Sequence, residues 1–403
     1  MTNTFYSRPH DLKLQSDCIV SYTPGDKALS IDIRSEVQSP FPGSTSELVK
    51  NTLADLRIET GNIHIDDFGA PPAVMMAHLE TVIKRAHQEV KEVALPAFKA
   101  YTQYRVDRTQ LRRSRLYLPG NQPNLFPKAG IHHPDAVILD LEDSVPLGQK
   151  DLARYLIRNA LRVIDFDRAE RMVRINQGKM GLQDLEVILP HNVHTIIVPK
   201  TETKEQLLEI DEAVDHILDE NKIDHDVFII PILESALGIL NAKEIAFASK
   251  RNIGLSIGLE DYTAEIGTQR SADQKESLFA RNMVVNAARA AGLSPLNSVY
   301  SDLANEVGLR DYIRESAELG FEGIGCIHPK QIAPVHEGFS PSPEEIEKAK
   351  QIIFAAETAL EKGLGVIALG SKMIDPPVVK RAEQTIQRAI AGGILPENWR
   401  TTN

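Results

Sequence analysis

The sequence is poor in cysteine and in long apolar runs. Only two cysteines, Cys18 and Cys326, occur in 403 residues. They are too few for a disulfide framework or a cysteine-rich metal cluster, which favours a reducing, cytoplasmic compartment. The first ten residues contain no apolar core typical of a signal peptide, and no segment approaches the length of a membrane span. We therefore expect neither export nor insertion into a membrane.

The sequence also lacks an excess of positive charge. It has 45 lysines and arginines against 56 aspartates and glutamates, a formal net charge of -11. Nucleic acids and anionic membranes select for basic surfaces, so we expect neither as a partner. A small anionic substrate stays possible, because one local arginine can bind it. The length exceeds what one hydrophobic core usually organises, which predicts more than one domain.

Residues 1–86 have the pattern of a small α+β domain. Apolar and polar residues alternate over 18–22 and 29–33, on either side of Pro24-Gly-Asp26, which predicts a β-hairpin. Helices are predicted over 44–56 and from Pro72 to about Ala86, with a strand over 63–66 between them. Residues 87–112 are charged and lack a sustained apolar face, which predicts a mostly helical linker.

The rest of the chain, residues 113–403, alternates apolar runs with helical stretches. Runs too short for a helix that are followed by helical patterns are typical of buried parallel strands. Eight such repeats predict a (β/α)₈ TIM barrel, here with a C-terminal helical extension. The predicted barrel strands are 116–118, 136–139, 172–175, 195–198, 227–233, 253–257, 296–300 and 323–327.

Two of these runs stop at a carboxylate. Glu234 follows the fifth run and Asp261 follows the sixth. The carboxyl ends of barrel strands open on one mouth, so neighbouring strands would bring these acids together. Oxygen ligands without nearby histidine or cysteine suit Mg²⁺. The alternative is that Glu234 caps the following helix and Asp261 is an ordinary loop acid.

Other charged residues are predicted at the same mouth. Glu142 and Asp143 are candidates to accept hydrogen bonds from metal-bound water. Arg113, Arg174 and Glu234 are candidate substrate-binding residues, although Arg174 could instead be a structural partner of Glu142. An acidic mouth that binds an anionic substrate needs a bridging cation. No lysine lies within a strand as a Schiff base would require, which favours metal-assisted enolate chemistry.

Several motifs resemble a known family. The sequence from Arg112 onward is similar to the β subunit of citrate lyase, within the HpcH/HpaI aldolase group. The matching motifs are RSRLYLPG at 113–120, LDLEDS at 139–144, VRIN at 173–176, LESALG at 233–238, GLEDY at 258–262, IHPKQI at 327–332 and KMIDP at 372–376. The N-terminal domain resembles the citrate lyase acyl carrier protein, the γ subunit, through IDIRSEV at 31–37 and DDFGA at 66–70.

The resemblance implies roles for individual residues. Glu234 and Asp261 would bind Mg²⁺. Arg174 would be a catalytic residue that contacts a substrate carboxylate or thioester oxygen and stabilises the charge that develops during cleavage. Asp375 would be an acid/base on a C-terminal loop, delivered from a neighbouring subunit of a trimer. Ser16 would carry a covalently attached phosphoribosyl-dephospho-CoA arm.

The resemblance also implies an activity. We expect Mg²⁺-dependent cleavage of a citryl thioester on the carrier to oxaloacetate and an acetyl thioester. A separate citrate lyase α subunit would supply the transferase step. Alternatives are a citramalate lyase or a malyl- or citramalyl-CoA lyase. A non-enzymatic alternative is an inactive barrel that only presents the prosthetic arm to other subunits.

Overall fold

The structure is a computed structural model that describes residues 3–9, 14–36, 42–361, 367–369 and 372–400. It begins with the predicted small α+β domain, in which two helices pack against a four-stranded sheet. After the resemblance described above, we use the label carrier domain for this part. Its elements are β1 (Phe5–Tyr6), β2 (Cys18–Ala28), β3 (Ser30–Ser35), α1 (Pro42–Asp55), β4 (Thr60–Asp67) and α2 (Pro72–Ala86).

The predicted hairpin of the carrier domain is wrong. β4 lies between β2 and β3, antiparallel to β2 and parallel to β3. Pro24-Gly-Asp26 lies within β2 and forms no turn between paired strands. The connection from β3 to β4 runs through α1, the crossover that a parallel pair needs. β4 is therefore an inner strand of the sheet, and its Ile63 and Ile65 are buried.

The predicted barrel is confirmed. Eight parallel strands close in the order β10-β11-β12-β5-β6-β7-β8-β9. Each strand coincides with one of the apolar runs in the sequence. The strands are β5 (Ser114–Pro119), β6 (Ala136–Asp140), β7 (Glu170–Arg174), β8 (Thr195–Val198), β9 (Phe228–Leu233), β10 (Gly254–Ile257), β11 (Ser294–Val299) and β12 (Ile324–Cys326).

Helices cover the outside of this barrel. They are α3 (Phe126–Ala129), α4 (Lys150–Val163), α5 (Gly178–Ile188), α6 (Lys204–Glu220), α7 (Ala236–Leu240), α8 (Ala242–Ala246), α9 (Leu259–Glu265), α10 (Leu278–Ala290), α11 (Glu306–Leu319) and α12 (Ile332–Phe339). The strands are buried on both faces, because alternate residues pack inside the barrel and against the helices. Within the described residues, no helix is long and apolar enough to cross a bilayer.

The linker differs from the prediction. Residues 87–112 contain one short 3₁₀ helix, Ala100–Thr102, and are otherwise turns and irregular structure, so the predicted helical linker is wrong. The physical reason is that its polar groups bond individually to the barrel. The backbone N–H of Lys99 donates to the carbonyl of Arg162, and Arg112 pairs with buried Glu170 at 2.7 Å. The linker thus follows the N-terminal side of the barrel and enters β5.

The C-terminal extension forms a separate cluster of packed elements. α13 (Pro343–Glu361) packs against α14 (Pro376–Ala391), with the short antiparallel pair β13 (Ile367–Leu369) and β14 (Lys372–Ile374) between them in sequence. Ile353, Ile386 and Trp399 belong to its small apolar core. This cluster confirms the helical extension that the sequence predicts.

The carrier domain packs directly on the barrel. Val74 and Ala77 of α2 belong to the same apolar cluster as the outer residues of the barrel. Beside them, Glu80 of α2 accepts two hydrogen bonds from Arg158 of α4, at 3.0 and 2.7 Å. Both side chains are almost fully buried, at 0% and 2% exposure. The two domains therefore share apolar packing and a buried ion pair.

This ion pair leads to a first prediction. Glu80→Ala leaves the Arg158 guanidinium buried without its carboxylate, and should lower the free energy of unfolding by about 3–5 kcal/mol. Replacing both residues with methionine should recover most of the loss, because no unpaired charge stays buried. Urea unfolding measures both effects. Glu205→Ala, on an exposed side chain, is the control. A Glu80→Ala loss no larger than the control's would contradict the structure.

Candidate active site

A cavity of about 430 Å³ opens at the carboxyl ends of the barrel strands. Its lining combines acidic and basic side chains with apolar residues from the strand ends. Among the charged residues that line it are Arg115, Asp140, Asp143, Arg174, Glu234 and Asp261. A strand-end cavity of this kind is where TIM barrels place their chemistry.

Glu234 lies directly after β9 and is buried within this cavity. Its carboxylate accepts a hydrogen bond from the backbone N–H of Lys200 at 2.7 Å. Ser235 caps α7 by accepting from Gly238, so the alternative that Glu234 serves as this cap is wrong. A Cβ on Gly258 would meet the Glu234 side chain at 2.8 Å. The glycine after β10 therefore leaves room for the carboxylate.

Burial dominates the electrostatics of Glu234. It raises the pKa of Glu234 to about 7, against the opposing hydrogen bond from the Lys200 backbone. The negative charge of Asp261 raises this pKa further. Glu234 and Asp261 line the same cavity, as expected for residues that follow neighbouring strands. Metal binding by these two residues stays a prediction.

Asp261 occupies the first turn of α9 and is about half exposed, with 45% of its side chain accessible. Because Asp261 belongs to a helix, the alternative that it is an ordinary loop acid is wrong. Its position in the first turn favours a carboxylate through the helix dipole. The same carboxylate also lines the cavity beside Glu234. Helix-dipole stabilisation and ligand binding are therefore compatible at this residue.

Lys200 is a charged residue of this mouth to which the sequence analysis assigned no role. Its ammonium lies 3.2 Å from Glu142, 3.5 Å from Asp143 and 3.6 Å from Asp261. Burial lowers the pKa of Lys200, but these carboxylates outweigh it and hold the pKa above its ordinary value. Lys200 also adopts a left-handed backbone, with φ 47°. The sequence does not reveal that Lys200 has this unusual backbone conformation, which is common at functional sites.

Arg174 fixes the loop that follows β6. Its Nε and Nη2 donate to the two oxygens of Asp140 at 2.7 and 2.6 Å. A second contact joins its Nη1 to Glu142 at 3.1 Å, so the structural pairing considered from the sequence exists. Asp140 also accepts from the backbone N–H of Glu142 at 2.9 Å. Arg174 therefore holds Asp140 and Glu142 in place while its side chain lines the cavity.

Arg113 is not at this mouth. It precedes β5 at the opposite, N-terminal end of the barrel, where its Nε and Nη2 bind Asp135 at 2.9 and 2.8 Å. The prediction that Arg113 binds substrate is therefore wrong. Arg115 lies two residues further along and lines the cavity. Arg113 and Arg115 have the same parity along the chain, so alternation alone does not separate them. They differ in their distance from the carboxyl end of β5, which the sequence pattern does not give.

Two predicted functional residues lie outside the cavity of their own chain. Asp375 caps α14 by accepting from the backbone N–H of Val378 at 3.1 Å, and it is not among the cavity-lining residues. Ser16 lies in a turn of the carrier domain, with a left-handed backbone at φ 60°. Delivery of Asp375 from another subunit and attachment at Ser16 both stay predictions.

The donor set fits a hard divalent cation. Asp143, Glu234 and Asp261 line the cavity, and Glu142 lies 3.2 Å from the Lys200 ammonium, while Arg174 is already bound to Asp140. Burial, with a further contribution from the negative charge of Asp261, raises the pKa of Glu234 to about 7, and a bound cation would favour its ionised form. Carboxylate oxygens at this site favour Mg²⁺ over softer metals. Glu234 and Asp261, on neighbouring strands, are the residues that would bind it.

A group of possible metal ligands in the carrier domain fits a metal poorly. Within the described residues, Asp17, Cys18 and His78 are close enough to share an ion. The Arg8 guanidinium, however, is already paired with Asp17. Burial raises the pKa of the Cys18 thiol well above its ordinary value, which opposes the thiolate that metals bind. This grouping is therefore a buried ionic network of the carrier domain.

Comparisons with known proteins agree with both parts of the chain. Residues 113–329 match the family model described as HpcH/HpaI aldolase/citrate lyase, and residues 14–86 match that of the malonate decarboxylase delta subunit. The citrate lyase subunit beta of Haemophilus influenzae is 40% identical over 70% of this chain and 98% of its own length. The human mitochondrial citramalyl-CoA lyase is 35% identical over 69% of this chain and 85% of its own.

A solved structure extends these similarities. The protein CitE from Mycobacterium tuberculosis, crystallised with magnesium, acetoacetate and coenzyme A, is 31% identical and has a TM-score of 0.59. The match covers 70% of this chain and 99% of that protein. The part of this chain that the similarity leaves uncovered is consistent with the additional N-terminal domain.

The position of Lys200 leads to a second prediction. Lys200→Met removes a positive charge from beside Asp261, and should tighten Mg²⁺ binding about tenfold, or about 1.4 kcal/mol. Isothermal titration calorimetry with MgCl₂ measures this. Lys204→Met is the matched control, because Lys204 begins α6 and contacts only Glu205, at 4.0 Å. Unchanged or weaker binding in Lys200→Met would contradict the proposed location of the cation.

Proposed function

Because the chain belongs to the HpcH/HpaI aldolase/citrate lyase family, we propose that it cleaves a citryl thioester into oxaloacetate and an acetyl thioester. The family and the barrel make it a lyase, with an acyl-carrier-type domain at its N-terminus. The observation that carries the proposal is the placement of Glu234 and Asp261 in one strand-end cavity. Such a cavity suits a hydroxy-acid thioester as substrate and a divalent cation as cofactor.

The carrier domain favours a carrier-bound substrate over a free coenzyme A thioester. A chain that acts only on free thioesters has no need of an acyl-carrier-type domain packed on its barrel. Citramalyl-CoA cleavage is the second candidate, since a relative of that name is 35% identical. The two substrates differ by one carboxyl-bearing group, so the cavity residues alone favour neither.

The chemistry assigned to the chain is a retro-aldol type cleavage. A base removes the proton of the substrate hydroxyl, the carbon–carbon bond breaks, and the electron pair passes to the acetyl thioester as an enolate. A divalent cation bound by Glu234 and Asp261 would polarise the substrate oxygens and offset developing negative charge. Protonation of the enolate yields the acetyl thioester. We assign the base to Asp375 of a neighbouring subunit, since Asp375 is outside its own chain's cavity.

The remaining charged residues position the substrate. Arg174, whose donors are engaged by Asp140 and Glu142, contributes positive potential to the cavity and shapes its wall. Glu142 and Asp143 accept hydrogen bonds from water around the cation. Lys200 holds these two acids together. Of these four residues we assign a catalytic role only to Arg174, whose positive charge stabilises the charge that develops during cleavage.

The proposal includes a prosthetic group and partners. Ser16 carries a phosphoribosyl-dephospho-CoA arm, to which the citryl group is attached as a thioester. A separate citrate lyase α subunit exchanges acyl groups on this arm, and the chain assembles as a trimer. If the barrel were an inactive scaffold, the arm would be loaded and no keto acid would form, so product analysis separates the two functions.

A third prediction tests the acidic pair. Glu234→Gln and Asp261→Asn should each lower Mg²⁺-dependent oxaloacetate release at least a hundredfold, because each loses one charged metal ligand. Release is measured from a citryl thioester with a malate dehydrogenase assay. Glu244→Gln, at an exposed position of α8, is the control and should keep full activity. Full activity in either site variant would remove the metal assignment.

A fourth prediction tests the attachment site. After co-expression with arm-attaching enzymes, intact-protein mass spectrometry should show one added prosthetic group in the wild type and none in Ser16→Ala. Ser30→Ala, at an exposed position of the same domain, should be modified normally. A modified Ser16→Ala protein would move the attachment to another residue.

A further inference from the structure

A buried ionic network holds the residue that follows Ser16. Asp17 pairs with the guanidinium of Arg8, and its other oxygen lies 2.8 Å from Nε2 of His78. The Nδ1 of His78 is 2.7 Å from the hydroxyl of Ser7. All four of these side chains are at most 2% exposed. The segment after Ser16 is therefore fixed by charge pairing inside the protein.

The Ser16 turn itself is also held on both sides. The backbone N–H of Ser16 donates to the carbonyl of Phe68 at 3.0 Å, and the N–H of Phe68 donates to the carbonyl of Asp17 at 2.9 Å. These bonds keep Ser16 in its left-handed conformation, which a non-glycine residue adopts only when its surroundings impose it. The proposed attachment residue thus has a defined location and backbone direction.

The same Arg8 crosses from the carrier domain to the barrel mouth. Its Nη2 donates to the carbonyl of Asn121 at 2.7 Å. Asn121 lies two residues beyond Pro119, which ends β5 and lines the cavity. The side chain of Asn121 donates to Gln149, in the loop between β6 and α4, at 2.9 Å. One guanidinium therefore connects the residue next to Ser16 with the rim of the cavity.

Further contacts prevent the carrier domain from rotating about this point. Arg85 at the end of α2 donates to both oxygens of Asp151 at the start of α4, at 2.7 and 2.6 Å. Glu80 and Arg158 form the buried pair described above. The side-chain amide of Asn159 donates to the carbonyl of Ala73 at 2.8 Å. Leaving the barrel would expose apolar area and break these three contacts together with the bond from Arg8 to Asn121.

We propose that the carrier domain stays docked on its own barrel, so that the arm on Ser16 delivers the thioester into the cavity of the same chain. This inference rests on the proposed function. The long arm moves, and the domain does not. Docking beside the rim raises the local concentration of the thioester at one cavity and lowers it at those of other chains. Arg8 is a positioning residue that holds the origin of the arm at the rim.

Complementation between two inactive chains tests delivery within one chain. Ser16→Ala has a working cavity and no arm, whereas Glu234→Gln has an arm and no working cavity. The two chains, with different tags, are co-expressed with the arm-attaching enzymes, and doubly tagged assemblies are purified, or the chains are mixed if none form. We expect oxaloacetate release from arm-bound citryl thioester below about a tenth of wild type. Release above that level would overturn the proposal.

Arg8→Ala gives an independent readout. It should slow turnover of the arm-bound citryl thioester about tenfold while changing turnover of free citryl-CoA less than twofold, because only the arm-bound substrate depends on the location of Ser16. Equal effects on both substrates would contradict a positioning role. Arg57→Ala, on an exposed side chain of the same domain, is the control and should change neither rate.

The two proposals can fail separately. Wild-type protein that releases no keto acid from either thioester would remove the lyase function itself. Wild-type protein that is active, together with a complementing mixture, would remove only delivery within one chain. Ser16→Ala must also keep its activity on free citryl-CoA, which confirms that the substitution leaves the barrel folded.

Discussion

The burial of a carboxylate among other acidic groups is the constraint on which the barrel mouth depends. Burial, together with the negative charge of the neighbouring Asp261, raises the pKa of Glu234 to about 7, so the ionised form of Glu234 is disfavoured without a compensating positive charge. In the described structure the Lys200 ammonium offsets part of that charge from outside the Glu234–Asp261 pair. The divalent cation that we propose between the strand ends would offset the rest, and would let an acidic mouth accept an anionic substrate.

The location of the acids follows from the closure of the barrel. Leu233 and Ile257 pair in register at the ends of β9 and β10, so the residues after them meet on one level. Gly258 supplies the space that the Glu234 side chain needs. On the opposite wall, Arg174 and Asp140 hold the loop with Glu142 and Asp143. The carrier domain then adds a second requirement, because Arg8 connects it to the rim of the same cavity.

Much of this organisation was predictable because it depends on local periodicity. The eight strands of the barrel, α1, α2 and the final helices follow from runs that neighbouring residues define, and Glu234 and Asp261 follow from where two of those runs end. The errors arose where long-range pairing decides. β4 enters the sheet between β2 and β3, and the linker forms contacts with the barrel, such as Arg112 with Glu170, instead of a helix. Arg113 lies at the N-terminal end of β5, away from the cavity, where it binds Asp135. The sequence assigned no role to Lys200, because the carboxylates around it come together only in the folded chain.

The most direct measurement of the central claim is a crystal structure of the protein soaked with Mn²⁺, a Mg²⁺ substitute whose anomalous scattering locates the ion. We expect one strong anomalous peak in the barrel mouth, with oxygen atoms of both Glu234 and Asp261 in its coordination sphere. A peak held by Glu142 and Asp143 without either of these residues, or no peak in the cavity at saturating Mn²⁺, would contradict the claim.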